Sequence, residues 1–195
     1  MRFLPLRGTE LQPWLADLGR LRLTIFREYP YLYQGSLSDE EKYLSNYTEA
    51  PDSLIILALD ESGQAIGATT CLPLTRAHPE FQAPFHSHGL DPAEYCYFGE
   101  SVLLPPWRGR GLGGQFFDFR EAHARSLPGV RFATFCAVDR PTDHPLRPET
   151  YRSPEPLWHR RHYQRQPHLT AEFSWQEVNQ PSDTPHQLTF WVKPL

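Results

Sequence analysis

Apolar and polar positions recur with two different periods along this chain, and the switches between them divide it into strands and helices. Arg2–Leu6 reads as a first strand, and residues 11–28 carry apolar side chains at helical spacing, enough for one or two helices despite Pro13. Ser38 followed by Asp39, Glu40 and Glu41 predicts a helix start, with Ser38 as N-cap and Glu41 closing a capping box. Residues 53–59 and 65–74 read as two strands joined by the turn-forming run Asp60-Glu61-Ser62-Gly63, which makes a hairpin. Residues 75–94 show no clear element, a length of chain expected of a lid or a mobile excursion over a cleft. A third strand is expected over 95–104, ended by Pro105, which lacks a backbone donor. Leu112, Phe116, Phe119 and Ala122 then follow helical spacing.

Residues 131–138 are apolar on both alternating faces, through Phe132, Cys136 and Val138 on one and Ala133, Phe135 and Ala137 on the other. Such a strand belongs inside a sheet covered on both sides. The helix between it and 95–104 makes a crossover, so these two strands are expected to be parallel. Residues 171–178 and 187–192 read as two further strands at the sheet's far edge, and that edge is the candidate surface for a homodimer. The fold class is therefore α/β.

Composition narrows the picture. A chain of 195 residues, 39% hydrophobic and 13% aromatic, is expected to form one domain over 1–195. A formal charge of -4 and the lack of a basic, aromatic-studded stripe argue against a nucleic-acid partner. Cys71, Cys96 and Cys136 are odd in number and widely spaced, which speaks against a disulfide framework or a zinc knuckle and for reduced thiols in the cytoplasm. The N-terminus lacks an apolar core and no later run approaches a membrane span, so neither secretion nor a membrane partner is expected. The twenty prolines gather in loops.

The chemistry concentrates in Glu100 to Gly114, ESVLLPPWRGRGLGG, an apolar strand leading through two prolines into an Arg/Gly loop and a helix. Gly109, Gly111, Gly113 and Gly114 let ligand oxygens approach the backbone, and the helix N-terminus behind them favours negative charge. Arg108 and Arg110 add cationic forks, so the loop reads as a cradle for a phosphate-bearing cofactor. A P-loop is excluded, because Gln115 and Phe116 stand where a Lys and a Ser or Thr would be needed. The dinucleotide pattern G-x-G-x-x-G is met by Gly109, Gly111 and Gly114, with Asp139 as a possible ribose acceptor. Against it, Pro105, Pro106 and Trp107 separate strand from glycines, and no further βαβ unit follows Asp139.

A third pattern, Arg/Gln-x-x-Gly-x-Gly/Ala, is met by Arg108, Gly111 and Gly113 after a V-L-L-P-P-W strand end. In this motif and in the order of its elements the chain resembles the GCN5-related N-acetyltransferases (GNAT) over most of its length. The resemblance implies a mixed, twisted central sheet flanked by helices, with parallel strands at about 95–104 and 131–138 that splay apart. It implies acetyl-CoA or another acyl-CoA as donor, with its pyrophosphate held by Arg108, Gly109, Arg110, Gly111, Leu112, Gly113 and Gly114. Its pantetheine arm would run along Val102, Leu103 and Leu104, and the Leu103 N–H would meet the developing oxyanion. The acceptor would be a primary amine on a small molecule or peptide.

An amine must be neutral to attack a thioester, which calls for a general base. Glu100 is the candidate, a lone carboxylate on the apolar strand YCYFGESVLL; the same residue also fits a structural carboxylate. Where family members often carry Phe-Tyr and then Gly-Phe, this chain has LWHRRHY, putting Trp158 at the tyrosine and His162 at the glycine. Trp158 cannot donate a proton as tyrosine does; its N–H is a candidate for orienting the acyl sulfur, but a packed core position is the favoured role. The departure leaves a non-catalytic acyl-CoA sensor open beside the enzyme. Tyr29, Tyr31 and Tyr33 in FREYPYLY are candidates for the acceptor wall, and His144 and Arg147 in the Pro-rich loop 141–153 for orienting the acceptor, although wet tyrosines and exposed ion pairs account for them equally. His86 and His88 lack further ligands of compatible spacing, so no metal is expected.

Overall fold

The computed structural model of the protein describes residues 1–195. Seven strands form one sheet: β1 (Arg2–Leu6), β2 (Leu54–Leu59), β3 (Ala65–Pro73), β4 (Tyr95–Leu103), β5 (Phe132–Val138), β6 (Gln164–Gln176) and β7 (Asp183–Pro194). Their order across the sheet is β1-β2-β3-β4-β5-β7-β6. Only β4 and β5 run parallel; the other ladders are antiparallel. The doubly wound parallel sheet of the dinucleotide-binding alternative is therefore not formed, and the mixed sheet with one central parallel pair is.

Five α-helices cover the two faces: α1 (Leu15–Phe26), α2 (Leu37–Glu49), α3 (Pro79–Ser87), α4 (Leu112–Ser126) and α5 (Glu155–Arg160). On one face Leu18 and Leu21 of α1, Leu44 of α2 and Phe85 of α3 pack with Ile55 and Leu57 of β2 and Tyr97 of β4. On the other, Phe117 and Ala124 of α4 pack with Ile56, Cys96, Phe98, Ala133 and Phe135. Both faces of the central strands are thus dry, which is why LIILAL and FATFCAV show no polar face. Each fully buried Leu or Phe contributes roughly 1.5–3 kcal/mol, so the two layers together fix the sheet.

The first helical stretch resolves into two pieces as its spacing allowed, and two other local expectations are corrected. The first helical stretch is a 3-10 turn over Gly8–Trp14 followed by α1, with Pro13 inside the turn. The α2 cap is Ser36, not Ser38: Ser36 Oγ accepts from the Asp39 amide at 3.3 Å and the Ser36 amide donates to Asp39 Oδ2 at 3.0 Å. The box closes at Asp39, two residues before Glu41. Residues 75–94 contain α3, flanked by 3-10 turns at Leu74–Arg76 and Pro92–Glu94. Pro79 and Pro84 disguise this helix, yet Pro79 occupies the first turn, where a missing N–H costs nothing. Phe81 and Phe85, four residues apart, supply its apolar edge.

Candidate functional site

The parallel ladder between β4 and β5 lasts for three pairs, Tyr95 with Phe132, Cys96 with Ala133 and Tyr97 with Thr134. Beyond them β4 continues to Leu103 along β3 while β5 continues to Val138 along β7, so the two strands part and open a cleft. The Leu104 amide donates to Ile66 O at 2.9 Å. Because peptide groups alternate along a strand, those of Leu103 and Ser101 turn to the opposite, open edge. Leu103 O accepts there from Arg108 Nε at 2.9 Å.

A β-bulge decides what enters this cleft. Pairing between β3 and β4 jumps from Cys71–Phe98 to Thr69–Ser101, leaving Gly99 and Glu100 together opposite Thr70. Before the bulge Tyr97 faces the α1–α3 layer and Phe98 the α4 layer; after it Val102, of the same parity as Phe98, faces the α1–α3 layer. The inserted residue carries the Glu100 side chain to the α1–α3 side, where strict alternation would have aimed it at α4. Position 99 must be glycine for this, because a Cβ there would stand 1.9 Å from Tyr47 Oη.

At the end of β4 a 3-10 turn, Pro105–Trp107, leads into the glycine loop. Gly109 and Gly111 have φ of +74° and +82°, and Gly111 is the N-cap of α4. The amides of residues 109–113 have no acceptor within the protein. They are a set of donors gathered at a helix N-terminus, the arrangement that suits a phosphate-bearing ligand. Arg108 is held at the loop's base by Glu28 Oε2 at 2.9 Å, and Arg110 lies over the Trp107 ring at 4.8 Å.

On the α1–α3 side of the cleft lies a cavity of about 170 Å³. Glu100 lines it, together with Tyr31 and Tyr33, so the structure brings these three expected residues together. Tyr29, His144 and Arg147 form a separate cluster around Tyr151, with ring separations of 4.7 Å for Tyr29–Tyr151 and 5.7 Å for Tyr29–His144. Trp158 lies on the opposite face of the sheet, 5.0 Å from the Phe135 ring and 5.1 Å from the Trp191 ring. His162, at the expected glycine position, has φ +66° and closes α5 in a Schellman motif, its amide donating to His159 O and that of Tyr163 to Trp158 O.

The cavity's charged groups are Arg22, Glu40 and Glu100. The Arg22 guanidinium donates to both carboxylates and lies 4.1 Å from the Tyr43 ring and 4.9 Å from that of Phe26. Burial by itself lowers the Arg22 pKa, but Glu100, Tyr43 and Glu40 outweigh it and raise the value above the ordinary one. Thr70 Oγ1 donates to Glu100 Oε2 at 2.5 Å and accepts from the Glu100 amide at 3.0 Å. From the other layer Arg120 Nη1 reaches the Glu100 carbonyl at 3.4 Å. The cavity's far walls come from Phe81 of α3 and Phe173 and Trp175 of β6. Where the strands part, Tyr97 Oη and Cys136 Sγ stand 3.4 Å apart, and burial pushes the Cys136 thiol up to about 12, keeping it protonated. Arg22 and Glu40 escaped the sequence reading, although a signal existed: each occupies a core-facing position of its helix, beside Leu18 and Leu21 or Leu44 and Tyr47.

Residues 20–148 match the model of the Acetyltransferase (GNAT) family. No curated protein matches the chain in sequence. Among solved structures, Arabidopsis thaliana NAA60 in complex with acetyl-CoA is 13% identical with a TM-score of 0.58, covering 100% of this chain and 98% of that one. Ribosomal-protein-alanine N-acetyltransferase from Brucella melitensis is 15% identical with a TM-score of 0.58, covering 100% of both chains. The polyamine N-acetyltransferase of Drosophila melanogaster, which forms N-acetylagmatine, is 15% identical with a TM-score of 0.57, again covering 100% of both. At these identities the likeness is one of fold.

Proposed function

The chain belongs to the GNAT acetyltransferase family, and from that membership we propose that it transfers an acetyl or other acyl group from acyl-CoA to a primary amine by direct attack in a ternary complex. The observation that carries this reading is the path of the splayed cleft, which runs from the unpaired amides of residues 109–113 past the open edge of Leu103 to the cavity at Glu100. The residues fit the donor: glycines with positive φ and free amides suit its pyrophosphate, and within the expected stretch 102–104 the open β4 edge at Leu103, with the Val102 and Leu104 backbone turned to β3, suits an amide-bearing arm that bonds like a strand. The Leu103 N–H faces the developing oxyanion. Glu100 is the base that receives the amine's proton. One of its oxygens accepts from Arg22 and the other from Thr70, and the Tyr43 hydroxyl is a third donor, which leaves one of about four lone-pair sites for the incoming proton. As the new N–C bond forms and the C–S bond breaks, the thiolate leaves to solvent, which needs no tyrosine at position 158. Residues 1–195 are read as one acyltransferase domain, acting in the cytoplasm, where Cys71, Cys96 and Cys136 stay unpaired.

A non-catalytic acyl-CoA sensor is the second reading, favoured by the core position of Trp158 and by the engagement of Glu100 with Arg22. One experiment separates the readings: a thermal-shift titration with acetyl-CoA, CoA and NAD, followed by CoA-thiol release with a panel of primary amines. A ligand that binds only the native state raises the melting temperature. Stabilisation by the CoA compounds and amine-dependent thiol release are expected. Stabilisation without release for any amine would favour the sensor, and stabilisation by NAD alone would overturn both.

A further inference from the structure

The cavity beside Glu100 has a size, a lining and a charge that together describe its occupant. Its volume of about 170 Å³ is close to the roughly 150 Å³ at which an apolar protein cavity admits benzene. Eight of its fifteen lining residues are Phe, Tyr or Trp, contributed by α1, the α1–α2 connection, α2, α3, β4 and β6. Tyr31, Tyr33, Tyr43 and Tyr97 are all pushed above the usual phenol range, burial being the largest cause, so they present neutral rings at physiological pH. The formal charge is set by one cation, Arg22, and two anions, Glu40 and Glu100, and is therefore −1. Arg22 is already bonded to both carboxylates and capped by the Phe26 and Tyr43 rings.

Resting on the acyl-CoA reading above, we propose that the acceptor is a compact arylalkylamine, a single-ring primary amine bearing one positive charge and no carboxylate. The ring packs against the aromatic wall formed by the stacked Phe81 and Phe173 and by Trp175, where offset or edge contacts add to simple burial. The ammonium supplies the charge that one excess carboxylate lacks, and aromatic faces attract it further. An amino acid with the same ring brings a second negative charge against Glu40 and Glu100, with a guanidinium whose partners are already in place. A polyamine brings two or more positive charges against a lining whose net charge is −1, so all but one of them lack a counter-charge there.

The test is steady-state acetylation by the full chain with acetyl-CoA, comparing 2-phenylethylamine, L-phenylalanine, spermidine and a short peptide with a free N-terminus. The expected result is a kcat/KM for 2-phenylethylamine at least about tenfold above each of the others, as like-charge exclusion and cavity fit require. Equal or better turnover of any of the other three would overturn the assignment. If acetyl-CoA raises the melting temperature but none of the four is acetylated, this inference falls while donor binding stands; if acetyl-CoA gives no shift, the reading beneath it falls first. Glu40→Gln, which neutralises the excess charge, should raise KM for 2-phenylethylamine roughly tenfold while the acetyl-CoA thermal shift persists. An unchanged KM in a variant that still shows that shift would overturn the charge argument.

Discussion

The Arg22 guanidinium donates to the Glu100 carboxylate across 78 residues of chain, and both side chains are buried. The pair ties α1 to the bulge of β4, and Glu40 on α2 joins it through the same guanidinium. A cation shared by two buried carboxylates is a geometric clamp: removing it leaves uncompensated charge in a dry site.

Arg22→Ala should therefore destabilise the protein by about 3–5 kcal/mol, the range for breaking a buried ion pair from one side. Denaturant unfolding measures it. A loss below about 1 kcal/mol would mean that water reaches the two carboxylates and that the clamp is not dry.

Glu100→Gln tests the base. The acylation rate should fall, and the loss of rate at acidic pH that marks protonation of an essential base should disappear from the kcat profile, while affinity for acetyl-CoA changes little. An active variant with an unaltered profile would leave Glu100 as a structural carboxylate held by Arg22 and Thr70.

Gly99→Ala places a Cβ 1.9 Å from Tyr47 Oη and 2.8 Å from Thr70 Oγ1. Overpacking of this kind costs roughly 1–3 kcal/mol. Tyr47→Phe removes the nearest atom, so the double variant should lose less than the sum of the two single losses in a thermal or denaturant double-mutant cycle. Strict additivity would mean that the bulge shifts away from Tyr47 instead.

Gly111→Ala meets nothing within 4 Å but inherits φ +82°. A non-glycine residue in this region costs about 1–2 kcal/mol. Gly63, in the β2–β3 turn with φ +85° and equally open surroundings, is the control. Both variants should lose similar stability, and only Gly111→Ala should weaken acetyl-CoA binding, by roughly tenfold or more, as read by thermal shift. Equal acetyl-CoA affinity in both would remove the glycine loop from the donor site.

His123 donates from Nε2 to Asp52 O at 2.8 Å, and its buried Nδ1 has no partner. Burial is the largest cause of its lowered pKa, and His78 and His186 are lowered too, burial again leading. Since the folded state holds the proton less tightly than the unfolded chain, the stability these groups contribute is complete above about pH 6.5 and is lost as pH falls through the folded values. The melting temperature should drop as pH falls below about 6.5. His123→Gln keeps an N–H donor without a titrating ring and should flatten that drop; an unchanged slope would assign it to His78 and His186.

Much of the architecture could be read from local pattern, because the forces that set it act over a few residues. The continuous apolar run of β5 identified a strand covered on both faces, β2 and β3 were legible as a hairpin around their turn residues, and Pro105 after β4 marked the end of a strand. Of the glycines at 109, 111, 113 and 114, Gly109 and Gly111 are the two that take positive φ. Helix α3 was hidden because Pro79 and Pro84 read as loop until Phe81 and Phe85 found a sheet to pack on.

What the sequence determined by itself is the local order of residues 100–114: strand, glycine loop and helix are consecutive, so the arginines, the glycines and the helix N-terminus fall in one stretch. What only the tertiary structure decided is the charged cavity beside β4. One extra residue in β4 relative to β3 turned Glu100 toward α1, and Arg22, Glu40 and Glu100 met because α1, α2 and β4 pack on one face of the sheet. No local pattern records a register shift between two strands or the meeting of side chains 78 residues apart. They follow from long-range packing, in which the Gly99 backbone approaches Tyr47 and a buried cation finds its counter-charges.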